Sequence, residues 1–329
     1  MSDRVSRRTF LGETALAGVA AAFAAETNGT AIPTRTLGKT GVKVTILAMG
    51  CGSRLLMYEK EDAAVEAINL ALDLGVGYLD TAYGYGNGKS ETWVGQVMKR
   101  RRKEVFLATK INARNGDDAK RILEGSMKRL QTDHVDLIHI HSVGDADDLA
   151  KIEAKGGPLE VILKLRDQKV TRFVGMTSHT DPAVLKTAIE RHDIDCVQMA
   201  LNAALQGMAD GKGKMILNPA MKTSFELVAL PAARKKNLGI LAMKVMGQEE
   251  LLGPGPGKGD PAKLFQYTLS LPVTAAVVGM PKPEFIRQNV AWAKAFKPMA
   301  KAEMKEFSQR MAEANKLALD RKFRNHVDC

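Results

Sequence analysis

From about residue 45 to residue 295 the chain alternates two kinds of segment. Short runs rich in β-branched and aliphatic residues lie near 45–49, 77–80, 105–109, 135–139, 172–176, 195–199, 238–243 and 274–278. Each is followed by a helix-like stretch, near 60–75, 90–101, 117–131, 157–168, 181–192, 223–236, 260–270 and 283–295. In the first of these, Ala64, Ile68, Ala71, Leu72 and Leu74 recur at helical spacing and form one apolar face. Asp181-Pro182 places Thr180 or Asp181 as a helix N-cap, with proline in the first turn. Strands separated by helical crossovers run parallel. Eight such units in about 260 residues match the size of a closed barrel, so the predicted class is α/β, a (β/α)8 TIM barrel. A doubly wound open sheet is the alternative. Against it, MGCGSR (49–54) lacks the third glycine and the helix placement of a dinucleotide fingerprint.

The flanks extend this core. TRTLGKTGVKV, from residue 34, reads as a β-hairpin with Gly38 and Gly41 as turn residues, and 299–329 reads as an amphipathic helix with a basic end. The domain is therefore expected over 34–329. Residues 1–25 are a different text. Arg7 and Arg8 precede Phe10-Leu11 and an Ala-rich apolar run from Leu16 to Ala25, and Ala22-Phe23-Ala24 offers a cleavage site. That is the layout of a twin-arginine export signal, too short for a membrane span. It predicts use of the twin-arginine machinery and a periplasmic location, or a cytoplasmic one if the signal is not used. The twin-arginine route carries folded proteins, which suits a chain that binds its cofactor before export.

Composition narrows the partners. The chain is 45% hydrophobic and 26% charged, as globular domains are, and its net charge of +11 is spread among acidic residues. Aromatics are only 5%, so no stacking platform for nucleic acid is expected. Cys51, Cys196 and Cys329 show no zinc-ligand spacing; the first two read as buried thiols and the last as a candidate for pairing between chains. Two glycine-rich runs, GYGNGKS (84–90) and GPGPGKG (253–259), each lack a required position of a phosphate-binding P-loop.

Chemistry concentrates at the ends of three successive strands. LDTAYGYG (79–86), VFLATK (105–110) and VDLIHIHS (135–142) carry Asp80, Tyr85, Lys110 and His141. A barrel brings the carboxyl ends of its strands to one face, where function gathers. A free tyrosine is a poor acid or base at neutral pH, but a neighbouring ammonium stabilises its phenolate. Lys110 is suited to that role, Asp80 to holding Lys110 charged, and His141 to donating a hydrogen bond to a carbonyl oxygen. His139 and His141 alternate with Ile138 and Ile140, which is taken to point one histidine into the barrel and the other outward. Two long loops, 142–156 and 202–222, are expected to shape a substrate pocket together with Cys51, Arg54 and Tyr83, and the Gly-Pro-rich 247–260 reads as a lid or clasp over a cofactor.

The order and spacing of these residues resemble the aldo-keto reductase family: Asp-Thr-Ala-x-x-Tyr-Gly, a Lys ending the next strand, and Asp-Leu-x-x-x-His ending the one after. The resemblance covers roughly 34–296. It implies that Asp80, Tyr85, Lys110 and His141 form a catalytic tetrad and that NADP(H), with NAD(H) as the alternative, binds on the carboxyl face. KVTRFVGMTSH (169–179) is similar to the family's carboxamide-binding segment, which assigns Ser178 and His179, with His179 where Asn is usual; Gln198 on the sixth strand joins them. GMPKPEFIRQN (279–289) resembles the adenosine-binding stretch and assigns Gly279, Lys282 to the 2′-phosphate, and Gln288 and Asn289 to adenine. In LGILAMKVMG (238–247), Met243 stands where an aromatic usually stacks on nicotinamide, and Lys244, where Ser is common, reaches toward the pyrophosphate.

The expectation is an oxidoreductase interconverting a small carbonyl compound and an alcohol, with Tyr85 as proton donor, no metal, and a monomeric or small homo-oligomeric state. Two alternatives stand beside it: a nucleotide-sensing barrel with lost catalysis, and a barrel lyase or hydrolase without nucleotide.

Overall fold

A computed structural model describes residues 31–210, 215–218 and 220–324. The expected export signal and Cys329 lie outside them. An antiparallel hairpin opens the described chain, β1 (Thr34–Thr36) against β2 (Lys43–Thr45). Eight parallel strands then close into a barrel: β3 (Leu47–Gly50), β4 (Tyr78–Asp80), β5 (Phe106–Ile111), β6 (Val135–Ile140), β7 (Thr171–Ser178), β8 (Cys196–Ala200), β11 (Gly239–Met243) and β12 (Ala275–Val278). The crossover helices are α2 (Glu61–Asp73), α3 (Lys89–Arg101), α4 (Gly116–Leu130), α6 (Pro158–Asp167), α7 (Pro182–Arg191), α8 (Ala229–Lys235), α9 (Pro261–Ser270) and α10 (Pro283–Lys294).

Local chemistry sets several of these boundaries. Asp181 caps α7, its carboxylate accepting from the amides of Ala183 and Val184 while Pro182 occupies the first turn. Asp260 caps α9 in the same way. The helix expected over 223–236 starts only at Ala229. Pro231 supplies no amide hydrogen and its ring clashes with the preceding turn, so it belongs in a first turn and not in a helix interior. The loops carry structure of their own: a short α1 (Ser53–Leu56), α5 (Ala146–Glu153) within 142–156, and a hairpin of β9 (Met208–Asp210) and β10 (Met215–Leu217) within 202–222. The tail forms α11 (Lys301–Arg324).

The opening hairpin plugs the amino end of the barrel. Gly38 lies so close to β11 that a Cβ there would fall 2.2 Å from the Leu238 carbonyl carbon. Arg35, only 5% exposed, donates from its guanidinium to the carbonyls of Val273, just past α9, and Leu269, in its last turn, at 2.7 and 2.9 Å.

Strand period places two apolar sets on opposite faces. Residues such as Leu79, Leu107, Ile138 and Ile140 point out against the helices. The inward set includes Ala48, Tyr78, Phe106, Ala108, Leu137, Cys196, Leu241, Ala275 and Val277. Following the strand register around the barrel groups inward residues of alternate strands into layers of four. Ala48, Ala108, Gly175 and Leu241 form an apolar layer. Above it come Asp80, His139, Gln198 and Val277, and then Gly50, Lys110, Thr177 and Met243. This corrects the expectation for the histidine pair. Residues two apart share a face, so His139 follows Leu137 into the barrel interior and His141 continues on the same side, while Ile138 and Ile140 face the helices.

Candidate active site

The strand ends deliver the four polar residues to the barrel's carboxyl face. Asp80 is the last residue of β4 and Lys110 the penultimate residue of β5, and each side chain is 1% exposed. The Lys110 ammonium donates to the Asp80 carboxylate and, at 2.8 Å, to the Thr81 carbonyl. It also lies 5.1 Å from the centroid of the Tyr85 ring. The edge of that ring meets His141, with centroids 5.6 Å apart and planes 84° apart. All four expected residues are therefore together.

Burial and charge compete at each group. Burial alone would pull the Lys110 ammonium down; the Asp80 carboxylate and the Tyr85 phenol outweigh it and hold the group above its ordinary range. Burial pushes Asp80 up, opposed by Lys110 and by the Gln198 amide. Burial likewise raises the Tyr85 phenol, with Lys110 pulling against it, so the resting group is protonated. Burial, then the Lys110 charge, holds His141 well below the usual imidazole value, so at neutral pH it is uncharged and offers one N–H.

These residues open into a cavity of about 590 Å³. Asp80, Tyr85, His141, His179, Gln198, Met243, Lys244, Gly279, Gln288 and Asn289 all line it. Lys110 is sealed behind Asp80. Ser178 is buried on the opposite face of β7 and donates to the Val143 carbonyl at 2.7 Å. Lys282 is the exposed N-cap of α10, outside the cavity lining. Of the expected pocket residues, Arg54 contributes, as do Ser142, Met215, Gln248, Glu249 and Leu252 from the expected segments. Cys51 and Tyr83 do not: the Cys51 thiol is buried, its acidity suppressed to about 12, and the Tyr83 ring lies under the Arg129 guanidinium at 5.0 Å.

The expected segments also reach the lining: Ser142 follows β6, and Gln248 and Glu249 follow β11. Phe285 and Trp292, which project from α10 into the lining, are residues that sequence reasoning missed. Ser142, Lys244, Gln248 and Glu249 have φ of 55°, 60°, 57° and 78°, a region that favours glycine. Such conformations cluster at functional sites, where surrounding contacts hold them. The Ser142 hydroxyl lies 3.3 Å from His179 Nδ1, and Arg54 pairs with Glu249 at 3.1 Å. Burial and the Lys244 charge depress His179 to about 3, and burial and Arg54 depress Lys244 to about 8.

The model of the aldo/keto reductase family matches residues 48–261. The chain belongs to the aldo/keto reductase family. That membership makes it an oxidoreductase and gives its barrel known relatives. It is 26% identical over 296 residues to the uncharacterized oxidoreductase YqkF of Bacillus subtilis, covering 79% of this chain and 91% of that one. Two solved barrels superpose on it: aldo-keto reductase AKR11C1 from Bacillus halodurans in its holo form (TM-score 0.68, 24% identity, 85% of this chain and 96% of that one) and an aldo-keto reductase from Klebsiella pneumoniae in complex with NADPH (TM-score 0.66, 20% identity, 85% and 95%).

Aldo/keto reductase membership raises the question of a nicotinamide nucleotide, and the cavity suits one. Gln198 is 2% exposed and its Oε1 has no hydrogen-bond partner among the described residues; the same holds for Oδ1 of Asn289, whose amide nitrogen donates to the Phe285 carbonyl at 2.7 Å. Unpaired buried acceptors cost about 1–3 kcal/mol each, which a ligand's donors would recover. Both residues line one continuous cavity, Gln198 beside the tetrad and Asn289 on α10.

Proposed function

We propose that this protein is an NADP(H)-dependent oxidoreductase that interconverts a small carbonyl compound and an alcohol, with Tyr85 as the proton donor. One observation carries the reading: a single cavity joins the Asp80–Tyr85–His141 face, backed by Lys110, to the Gln288–Asn289 face of α10. A proton-transfer site alone would not need that second polar end. A barrel of the same fold binds NADPH, which favours this nucleotide over the nucleotide-free alternatives. When bound, the nucleotide supplies or accepts the hydride. Gln198 and His179 would hold its carboxamide, Met243 would pack against the ring, Lys244 would meet the pyrophosphate, and Gln288 and Asn289 would meet the adenine. Lys282, at the cap of α10, is the candidate for a 2′-phosphate.

The chain's own residues handle the proton. His141, uncharged, donates its N–H to the substrate oxygen and orients it. Tyr85 is protonated at rest and gives its proton to that oxygen as negative charge builds there. The phenolate left behind sits beside the Lys110 ammonium, which Asp80 and the Thr81 carbonyl keep in place. In the reverse direction the same phenolate accepts the alcohol proton.

Replacing Tyr85 by Phe removes the hydroxyl and leaves the cavity intact. Turnover of an aldehyde panel with NADPH is expected to fall about 10²- to 10⁴-fold while nucleotide fluorescence titrations remain unchanged. Near-normal turnover in Tyr85→Phe would overturn the mechanism, and a wild-type protein that binds no nicotinamide nucleotide would overturn the function.

The second part of the proposal concerns location. The Arg7-Arg8 text supports export by the twin-arginine route to the periplasm. Free NADPH is not replenished there, so the exported protein is expected to retain its nucleotide and cycle between an oxidised and a reduced substrate. Nucleotide lost on simple gel filtration would refute that part.

A further inference from the structure

Among the buried titratable groups that the mechanism above leaves without a task, one lies directly beneath the Asp80–Lys110 pair. His139 is 0% exposed, points into the barrel from β6, and neither ring nitrogen has a hydrogen-bond partner among the described residues. A buried imidazole with two unmet polar atoms is costly, and an apolar side chain of similar volume avoids that cost. The surroundings have nevertheless been shaped to admit it. Gly175, its register partner on β7, lacks the Cβ that would fall 2.5 Å from the Cys196 carbonyl oxygen, 2.6 Å from His139 Nδ1 and 2.8 Å from Cε1. Any other residue at 175 would strike both the β8 backbone and the ring.

The position of His139 suggests what it does. On its other side its register partner is Lys110. Its own layer contains Asp80 and Gln198, and the layer beneath is Ala48, Ala108, Gly175 and Leu241, with no side-chain polar atom. On that side the Asp80–Lys110 pair is cut off from water, and Oδ2 of Asp80 has no hydrogen-bond partner among the described residues. A buried ion pair survives only where nearby dipoles replace the lost solvation; otherwise the proton moves from ammonium to carboxylate and both groups become neutral. A neutral lysine would no longer stabilise the Tyr85 phenolate.

We infer that His139 is a positioning residue for the Asp80–Lys110 pair, a neutral polar support beneath it that takes the place of solvent and keeps the ammonium charged. Neutrality is part of the design. A second cation under Lys110 would repel it, and burial together with the Lys110 charge keeps the imidazole unprotonated far below its usual range. The titratable groups around the pair are Cys51 after β3, Tyr78 and Asp80 from β4, Tyr85 after it, His139 and His141 on β6, His179 after β7 and Lys244 after β11. On the closed side, away from the cavity, Tyr78 lies two residues before Asp80 on β4, and His139 lies in the layer of Asp80 itself.

The inference rests on the reading that Lys110 serves Tyr85, but its test needs no turnover. The Lys110 side chain is followed by NMR in protein labelled at lysine Cε, with Lys110→Met assigning the signal. In His139→Leu the support becomes apolar, and the Lys110 titration midpoint should drop by an amount equal to about a tenfold gain in acidity. In His139→Gln, which is polar and uncharged, the midpoint should return to the wild-type value. A purely structural role would lower thermal stability in His139→Leu without moving the midpoint, and that result overturns the inference. Should His139→Leu fail to fold, the wild-type imidazole decides: labelled at its nitrogens, it must stay neutral across the folded pH range and its shifts must respond to Asp80→Asn. A His139 that titrates near the ordinary imidazole value, or ignores Asp80→Asn, refutes the proposal. Carbonyl turnover of the wild type, measured separately, tests the oxidoreductase reading on its own.

Discussion

Neutralising one or both members of the Asp80–Lys110 pair tests whether it acts as a unit. Each side chain is 1% exposed, so water cannot compensate a lost partner. Asp80→Asn leaves an ammonium supported by the Thr81 carbonyl and the neutral Tyr85 phenol, with no negative charge beside it. Lys110→Met leaves a carboxylate whose remaining help is the Gln198 amide. Breaking a buried pair from one side costs about 3–5 kcal/mol, whereas replacing both charges leaves nothing uncompensated. The double variant should therefore be more stable than the sum of the singles implies, with a coupling of about 2–3 kcal/mol. Urea unfolding of the four proteins at neutral pH measures it. The pH dependence adds a sign. In Lys110→Met the folded-state pKa of Asp80 rises further above its unfolded value. The folded protein then binds the extra proton, so stability is regained as pH falls through that folded pKa and lost as pH rises. Additive losses below about 1 kcal/mol per single variant, or a Lys110→Met protein that loses stability on mild acidification, would refute the claim that the pair is buried and coupled.

Four further outcomes follow from the same geometry. Carbonyl reduction should be flat through neutral pH and fall above the raised Tyr85 pKa, while alcohol oxidation should rise over that range; opposite limbs in stopped-flow pH profiles would exclude Tyr85 as the proton carrier. Gln198→Leu should weaken nucleotide binding about 10- to 100-fold in fluorescence titrations, since it removes a buried acceptor and a carboxamide contact. Lys244→Met should raise the His179 pKa, because the Lys244 charge is one cause of its depression, and a histidine NMR titration reads the shift. Glu91 is fully buried and accepts from Thr109 at 2.6 Å and Arg129 at 2.8 Å, so Glu91→Leu should destabilise the barrel by about 3–5 kcal/mol in urea without changing the Tyr85 titration.

The barrel was legible because its signals are local and repeated. Each strand is a short apolar run and each crossover a helical face, and the expected and observed bounds of β6 and α10 differ by one residue. The tetrad was legible for the same reason: Asp80, Lys110 and His141 sit at or just past strand ends, and strand ends of a parallel barrel converge. What failed to show depends on partners distant in sequence. Lys282 and Ser178 sit in segments that look right, but an N-cap side chain turns outward, and on β7 the odd-numbered residues face inward while Ser178 faces the helices. Gln248 and Glu249 carry no motif, and only their positive φ and the Arg54 contact mark them. The hairpin within 202–222 has strands of only three residues each, Met208–Asp210 and Met215–Leu217, too short for the alternation that announces a strand.

His139 shows where the sequence did hold the information but the period was misapplied. A strand repeats every two residues, so once Leu137 is inward, His139 and His141 are inward as well. The consequence reaches the chemistry. A tyrosine that rests protonated yet leaves a tolerable phenolate needs burial on one side and a permanent cation on the other. Burial is supplied by the cavity walls. The cation is harder to keep, because the burial that raises Tyr85 also works to neutralise Lys110, and only the Asp80 charge and polar neighbours oppose that. Gln198 supplies a dipole from the cavity side, and the Thr81 carbonyl supplies one from the loop. On the closed side of the barrel, where barrels of this kind are filled with aliphatic side chains, His139 supplies one from the layer of Asp80 itself, beside the Tyr78 hydroxyl that comes from two residues earlier on β4.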